Sequence, residues 1–141
     1  MRNTKQMDNK TYAQTYRVYY EDTDAAGVVY YANYLKFFER ARTDFLRHHN
    51  INQQQLAKKT NQIAVVRKCN ISYIKPAKLD DLITVSVKIG KISHTTIQML
   101  QEITLNNQIL TIADAQIAFV DNATFKPIKI PKEIYFILES S

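Results

Sequence analysis

The chain has 141 residues, a formal net charge of +6, one cysteine, two glycines and three prolines. One cysteine excludes a disulfide framework and any zinc site built on paired CxxC motifs, and no apolar run reaches the ~20 residues of a membrane span. The 45% hydrophobic and 23% charged fractions describe an ordinary folded protein, not a disordered one.

The length suits a single domain spanning 1–141. Residues 1–12 are polar and read as a flexible N-terminus, and the opening MRNTKQMDNK carries no signal-peptide core, so a cytoplasmic location is expected. Residues 14–20 alternate. Tyr16, Val18 and Tyr20 share one face and Thr15, Arg17 and Tyr19 the other, the pattern of a strand. The segment EDTDAAG then breaks the period.

Across 31–48 the period becomes helical. Tyr34, Phe37, Phe38, Ala41, Phe45 and Leu46 form one stripe, widened by Tyr31 and Leu35, with no Gly or Pro inside. Four alternating stretches follow, each with one buried face. Ile63, Val65, Cys69, Ile71 and Tyr73 mark the first; Ile83, Val85, Val87 and Ile89 the second; Ile97, Met99, Ile103 and Leu105 the third; Ala113, Ala115, Ile117 and Phe119 the fourth. Pro76–Asp81 and Gly90–Ser93 separate the first three, and Asn106-Asn107 reads as a tight hairpin turn. Residues 126–141, with two prolines and an apolar tail, suit a short helix or edge segment. The expected architecture is a strand, a long helix and an antiparallel meander curling around it.

The charge is localised. Lys58, Lys59, Arg67, Lys68, Lys75, Lys78, Lys88 and Lys91 face only Asp80 and Asp81 within residues 58–91. Such an excess fits an anionic partner and equally a solvated basic face. Nucleic acid is disfavoured as that partner, because the basic residues mostly alternate along strands and no helix-turn-helix, RNP or zinc pattern accompanies them.

There is no GxSxG, P-loop, GxGxxG or HExxH, and neither a metal site nor a cofactor is expected. Adjacent His48 and His49 point different ways on a helix and suit its C-terminal carbonyls. Cys69, on an apolar face, reads as an inert core thiol. What remains is Glu21, Asp22 and Asp24 in a loop ahead of an aromatic helix. Acids suit a helix N-terminus, but three exceed what capping needs.

The segment D22-T23-D24-A25-A26-G27-V28-V29-Y30-Y31-A32-N33-Y34, with E39-R40-A41-R42, V65-V66-R67 and Y73-I74-K75-P76-A77-K78-L79-D80-D81, resembles a known family. It is that of the hotdog-fold acyl-CoA thioesterases of the 4-hydroxybenzoyl-CoA thioesterase type, within them the branch associated with the Tol–Pal system. The resemblance covers about residues 14 to 120. It implies an α+β hotdog fold, a long central helix wrapped by a curved antiparallel sheet of about five strands. It implies hydrolysis of acyl-CoA thioesters to free acid and coenzyme A, with Asp24 as nucleophile or general base. The main-chain N–H of Tyr31 would polarise the thioester carbonyl, and Tyr20 would complete a Tyr20, Asp24, Tyr31 set. Many members of the branch carry a histidine where Tyr31 stands, and a tyrosine, with a pKa near 10, does not replace histidine as a base at neutral pH.

The resemblance further places Gly27 and Tyr30 at the substrate. Because coenzyme A carries a phosphorylated nucleotide, Lys68, Lys75, Lys78 and Lys91 become candidates for its phosphates. It implies a homo-oligomer, a dimer or a dimer of dimers, and admits peripheral association with membrane or lipid-synthesis proteins. The alternative is a protein that binds acyl thioesters or an envelope complex without turnover.

Overall fold

Alternating stretches bury one face each, and a helix with an apolar stripe must cover that face. The computed structural model, which describes residues 11–140, has this layout. Among the described residues, the antiparallel strands are β1 (Thr11–Arg17), β2 (Gln62–Tyr73), β3 (Leu82–Ile92), β4 (Thr96–Leu105) and β5 (Gln108–Asp121). Their order in the sheet is β1-β3-β4-β5-β2. The helices are α1 (Tyr34–His48), α2 (Gln53–Thr60) and α3 (Lys132–Glu139).

The core lies between α1 and the inner face of the sheet. Tyr34, Phe37, Phe38, Ala41, Phe45 and Leu46 of α1 are buried, as are Ile83, Val85 and Val87 of β3 and Ile97, Met99 and Ile103 of β4. Each large apolar side chain removed from water contributes about 1.5–3 kcal/mol. Polar groups also enter this layer. Gln101 of β4 is buried, donates to the Phe38 carbonyl (3.1 Å) and accepts from the Arg42 guanidinium (3.0 Å). Burial lowers the Arg42 pKa from its ordinary value, an effect that the nearby Cys69 and Glu39 oppose. At the other side of α1, the Tyr16 hydroxyl donates to Asp44 and ties β1 to the helix.

Several expectations are corrected. Residues 14–20 are not one strand. β1 starts at Thr11 and ends at Arg17, so Thr11 and Tyr12 are ordered rungs, paired with Lys88 and Val87. The rest of the flexible N-terminus expected over 1–12 lies outside the described residues. Tyr20 belongs to a short 3-10 turn, Tyr20–Asp22, and is 81% exposed rather than facing the core with Val18. The four later strands are not one meander. β3, β4 and β5 are, but β2 crosses to pair with β5 at the far edge.

Within β2 a bulge between Val66 and Lys68 resets the side-chain parity. Ala64 therefore packs on the core with Cys69 and Ile71, in place of the expected Ile63 and Val65. Tyr73, expected on the buried face, is 46% exposed. Gly90 is not in a turn. β3 runs through it to Ile92, with a register shift between Ile89 and Ile92. A Cβ at Gly90 would meet the end of the Gln98 side chain at 2.4 Å, so a larger residue there requires Gln98 to shift. The turn follows, closed by the Ser93 hydroxyl accepting from Thr96 N–H (3.0 Å).

Asn106 and Asn107 do form the expected hairpin turn, both with positive φ (51° and 65°). The helical stripe starts with a 3-10 turn, Tyr31–Asn33, and becomes α-helical at Tyr34. His49 caps α1 with its main-chain N–H, while its ring packs edge-on to Phe45 at 4.8 Å. Sequence reading missed α2. It is a polar helix capped by Asn52, whose side chain accepts from Gln55 N–H, and ended by Asn61 at φ 57°. α3 fills the apolar tail and buries Ile134 and Leu138.

Candidate active site

The acidic loop connects β1 to α1 and is held from three sides. Asp22 is 4% exposed. One carboxylate oxygen accepts from the Asn33 side chain (2.8 Å) and the other from Tyr19 N–H (2.9 Å), while its main-chain carbonyl accepts from Tyr30 N–H (2.9 Å). Asp22 thus joins the start and the end of the loop. The segment after β2 supplies a floor. Val29 N–H donates to Ala77 (2.8 Å), Leu79 N–H to Gly27 (3.0 Å), and Val28 bridges Lys78.

Asp24 stands apart from Asp22 in environment. It is exposed, and one of its carboxylate oxygens accepts Ala26 N–H at 2.9 Å. Its N–H donates to Val28 and its carbonyl accepts from Gly27 (2.9 and 3.0 Å), closing a tight turn. Gly27 sits at φ +79° with nothing within 4 Å of a built Cβ. The position therefore demands glycine for its backbone conformation, not for space. The carboxylate is fixed by its own loop, and the other oxygen takes no hydrogen bond among the described residues.

The loop ends on the 3-10 turn. Tyr30 N–H is committed to Asp22 and Asn33 N–H to Tyr30 (2.7 Å). The Tyr31 and Ala32 N–H groups lie between them, ahead of Asn33, the first amide of the turn with a carbonyl acceptor behind it, where the helix end carries partial positive charge. The rings of Tyr30 (58%) and Tyr31 (68%) are exposed beside them. The structure thus brings Asp24, Gly27, Tyr30 and Tyr31 into one short loop. The Tyr20 ring lies in a hollow of about 550 Å3 with Arg17, Tyr19, Glu21, Leu79 and Asp80. Its carbonyl accepts from Thr23 N–H (3.1 Å) and the Thr23 hydroxyl (3.0 Å) in the turn that precedes Asp24.

The four candidate lysines divide. Lys78 is bound into the floor of the acidic loop, and Lys75 precedes it with its N–H on the Leu110 carbonyl (3.0 Å). Lys68 and Lys91 instead line a hollow of about 580 Å3 with Asn70, Gln98, Asp114 and Gln116. Burial pushes the Cys69 thiol up, partly offset by Arg42, so the sulfur stays protonated at neutral pH and is a poor nucleophile. Among the described residues, no group of His, Cys, Asp and Glu side chains could hold a metal, and no helix is long and apolar enough to cross a membrane.

The helix-and-sheet frame has counterparts among known proteins. Residues 18–138 match the Thioesterase-like superfamily. The chain belongs to that superfamily, and its fold is the hotdog fold. An acyl-CoA thioesterase, YbgC, of Haemophilus influenzae is 46% identical over 118 residues, 84% of this chain and 87% of that protein. A protein of the same name from Helicobacter pylori is 34% identical over 82% of this chain and 91% of its own length. Among solved structures, a probable thioesterase from Bartonella henselae superposes with a TM-score of 0.82 at 35% identity, over 86% of this chain and 99% of that one.

Sequence reading missed Asn33 and Tyr73. Asn33 is a polar residue inside an aromatic run, which is a signal, but its partner Asp22 becomes visible only once the loop is closed. Tyr73 donates its hydroxyl to the Tyr31 carbonyl (3.2 Å) from the end of a distant strand.

The two aspartates should separate by experiment. Asp22→Ala strands the buried Asn33 amide and is expected to cost about 2–3 kcal/mol in urea denaturation. Asp24→Asn, on the surface, is expected to stay within about 0.5 kcal/mol of the parent.

Proposed function

We propose that the chain hydrolyses acyl-CoA thioesters to the free acid and coenzyme A, with Asp24 as its reactive carboxylate. One observation carries this reading. One Asp24 carboxylate oxygen is held by the Ala26 N–H of its own turn, the other takes no hydrogen bond among the described residues, and the helix start at Tyr31 follows in the same loop. A thiol leaving group has a pKa near 8.5, so the C–S bond breaks with little acid assistance. A carboxylate and an oxyanion site therefore suffice. Asp24 either takes the proton of the water that attacks the carbonyl carbon, or attacks that carbon itself to form a mixed anhydride that water then hydrolyses to the free acid and the regenerated carboxylate. In both cases the Tyr31 N–H donates to the oxygen that gains charge. The thiolate departs and is protonated by solvent.

The names of the relatives support the substrate class. Membership of the 4-hydroxybenzoyl-CoA thioesterase type and of its Tol–Pal-associated branch stays part of the proposal. Gly27 sets the turn, Tyr30 flanks the acyl group, and Tyr20 contributes through the carbonyl that anchors Thr23. With a tyrosine at position 31, no histidine assists, so water activation falls to Asp24 alone. Lys78, in the segment that floors the loop, and Lys75 before it are candidates for the phosphates of coenzyme A, which the pantetheine arm carries away from the reacting thioester. Lys68 and Lys91 form a separate basic pair on the sheet.

Release of thiol from acyl-CoA should fall about 100-fold or more in Asp24→Asn. Turnover equal to the parent would refute the role of Asp24. Lys78→Ala should raise KM about threefold for an acyl-CoA and leave it unchanged for an acyl-N-acetylcysteamine thioester, which has no phosphates. An equal change for both would remove Lys78 from phosphate binding. The long open edge of β2, with Val66 and Tyr73 about half exposed, suits association of identical chains. Sedimentation should give a dimer or larger species, and a stable monomer would overturn this.

A further inference from the structure

The Tyr73 hydroxyl spans 42 positions of sequence to reach the Tyr31 carbonyl at 3.2 Å. Its ring is held on two sides, tilted 34° against Tyr31 with centroids 5.1 Å apart and edge-on to Tyr34 at 5.3 Å. Tyr34 is itself fixed. It is 3% exposed, and its hydroxyl accepts Ala77 N–H at 3.0 Å. Tyr73, the last residue of β2, is therefore a rigid strut between the sheet and the turn that starts α1. Burial raises its phenol pKa above the ordinary value, reinforced by Tyr31 and Tyr34, so it remains a donor at neutral pH.

The bonded carbonyl belongs to the peptide plane between Tyr31 and Ala32, and the N–H of that same plane is Ala32's. Fixing the oxygen fixes the direction of the N–H. A hydrogen bond accepted by the carbonyl also polarises the N–H across the amide and strengthens it as a donor. Ala32 is exposed, and its N–H follows that of Tyr31 at the open end of the turn.

We propose that the Ala32 N–H is a second oxyanion donor beside the Tyr31 N–H, and that Tyr73 is the positioning residue that aims it through the Tyr31 carbonyl. This rests on the hydrolase reading above. Tyr73 itself exchanges no proton and touches no substrate. Its hydroxyl holds one peptide plane still while negative charge grows on the thioester oxygen, so its contribution falls on the transition state and not on substrate binding.

Tyr73→Phe removes the hydroxyl and keeps the ring. With purified full-length chain and one acyl-CoA, kcat is expected to fall about fivefold, the size of one neutral hydrogen bond. KM should stay within twofold and the melting temperature unchanged. In 15N-labelled protein the Ala32 amide proton should move upfield in Tyr73→Phe as its peptide loses polarisation. An unchanged kcat, an unmoved Ala32 resonance, or a rise in KM without loss of kcat overturns the proposal. Its failure is distinct from failure of the hydrolase reading, which would show as no turnover by the parent chain or full turnover by Asp24→Asn.

Discussion

The site depends on one buried carboxylate. Asp22 accepts hydrogen bonds from Tyr19 N–H and Asn33 Nδ2, and its carbonyl takes Tyr30 N–H. A charged group out of water is tolerated only with its partners in place. Those partners lie on both sides of the acidic loop, so Asp22 draws the chain leaving β1 against the chain entering α1. Asp24 then has one narrow place to stand, in a turn that Gly27 closes with a positive φ. The two aspartates are two positions apart and do opposite work. Asp22 spends its oxygens on the fold, and one Asp24 oxygen takes no hydrogen bond among the described residues.

The frame around that loop comes from the core. Three phenylalanines of α1, Phe37, Phe38 and Phe45, are buried against the sheet and fix the helix axis. The loop is then pinned to the segment after β2 by main-chain bonds at Gly27, Val28 and Val29. Tyr73 and Tyr34 add a side-chain connection from β2 to the helix start. The helix-start amides are thus held by elements far apart in sequence. Dipoles held in this way stabilise nearby negative charge better than dipoles that must first reorganise.

The basic excess acquires structure as well. In sequence it reads as one block over 58–91. In space Lys78 pairs with the acidic loop, Lys75 is bonded through its N–H to the Leu110 carbonyl, and Lys68 and Lys91 line a hollow on the sheet. A block of charge along alternating strands cannot stay on one surface, because successive side chains point to opposite faces and neighbouring strands run in opposite directions.

Local periodicity by itself determined α1, the stretches of β2 to β5, the Asn106-Asn107 hairpin and the acidic loop, since these rest on side-chain spacing and turn chemistry within a few residues. The freedom of Gly27 to take a positive φ was likewise legible, and the loop uses it. Tertiary structure alone decided the rest. The β2 bulge moved Ala64 onto the core in place of Ile63 and Val65, because one extra residue reverses every side chain before it relative to those after. The pairing of β2 with β5 follows from how the sheet as a whole covers α1. The roles of Asp22, Asn33 and Tyr73 follow from hydrogen bonds whose partners meet only after folding, and no short window of sequence contains both ends of such a bond.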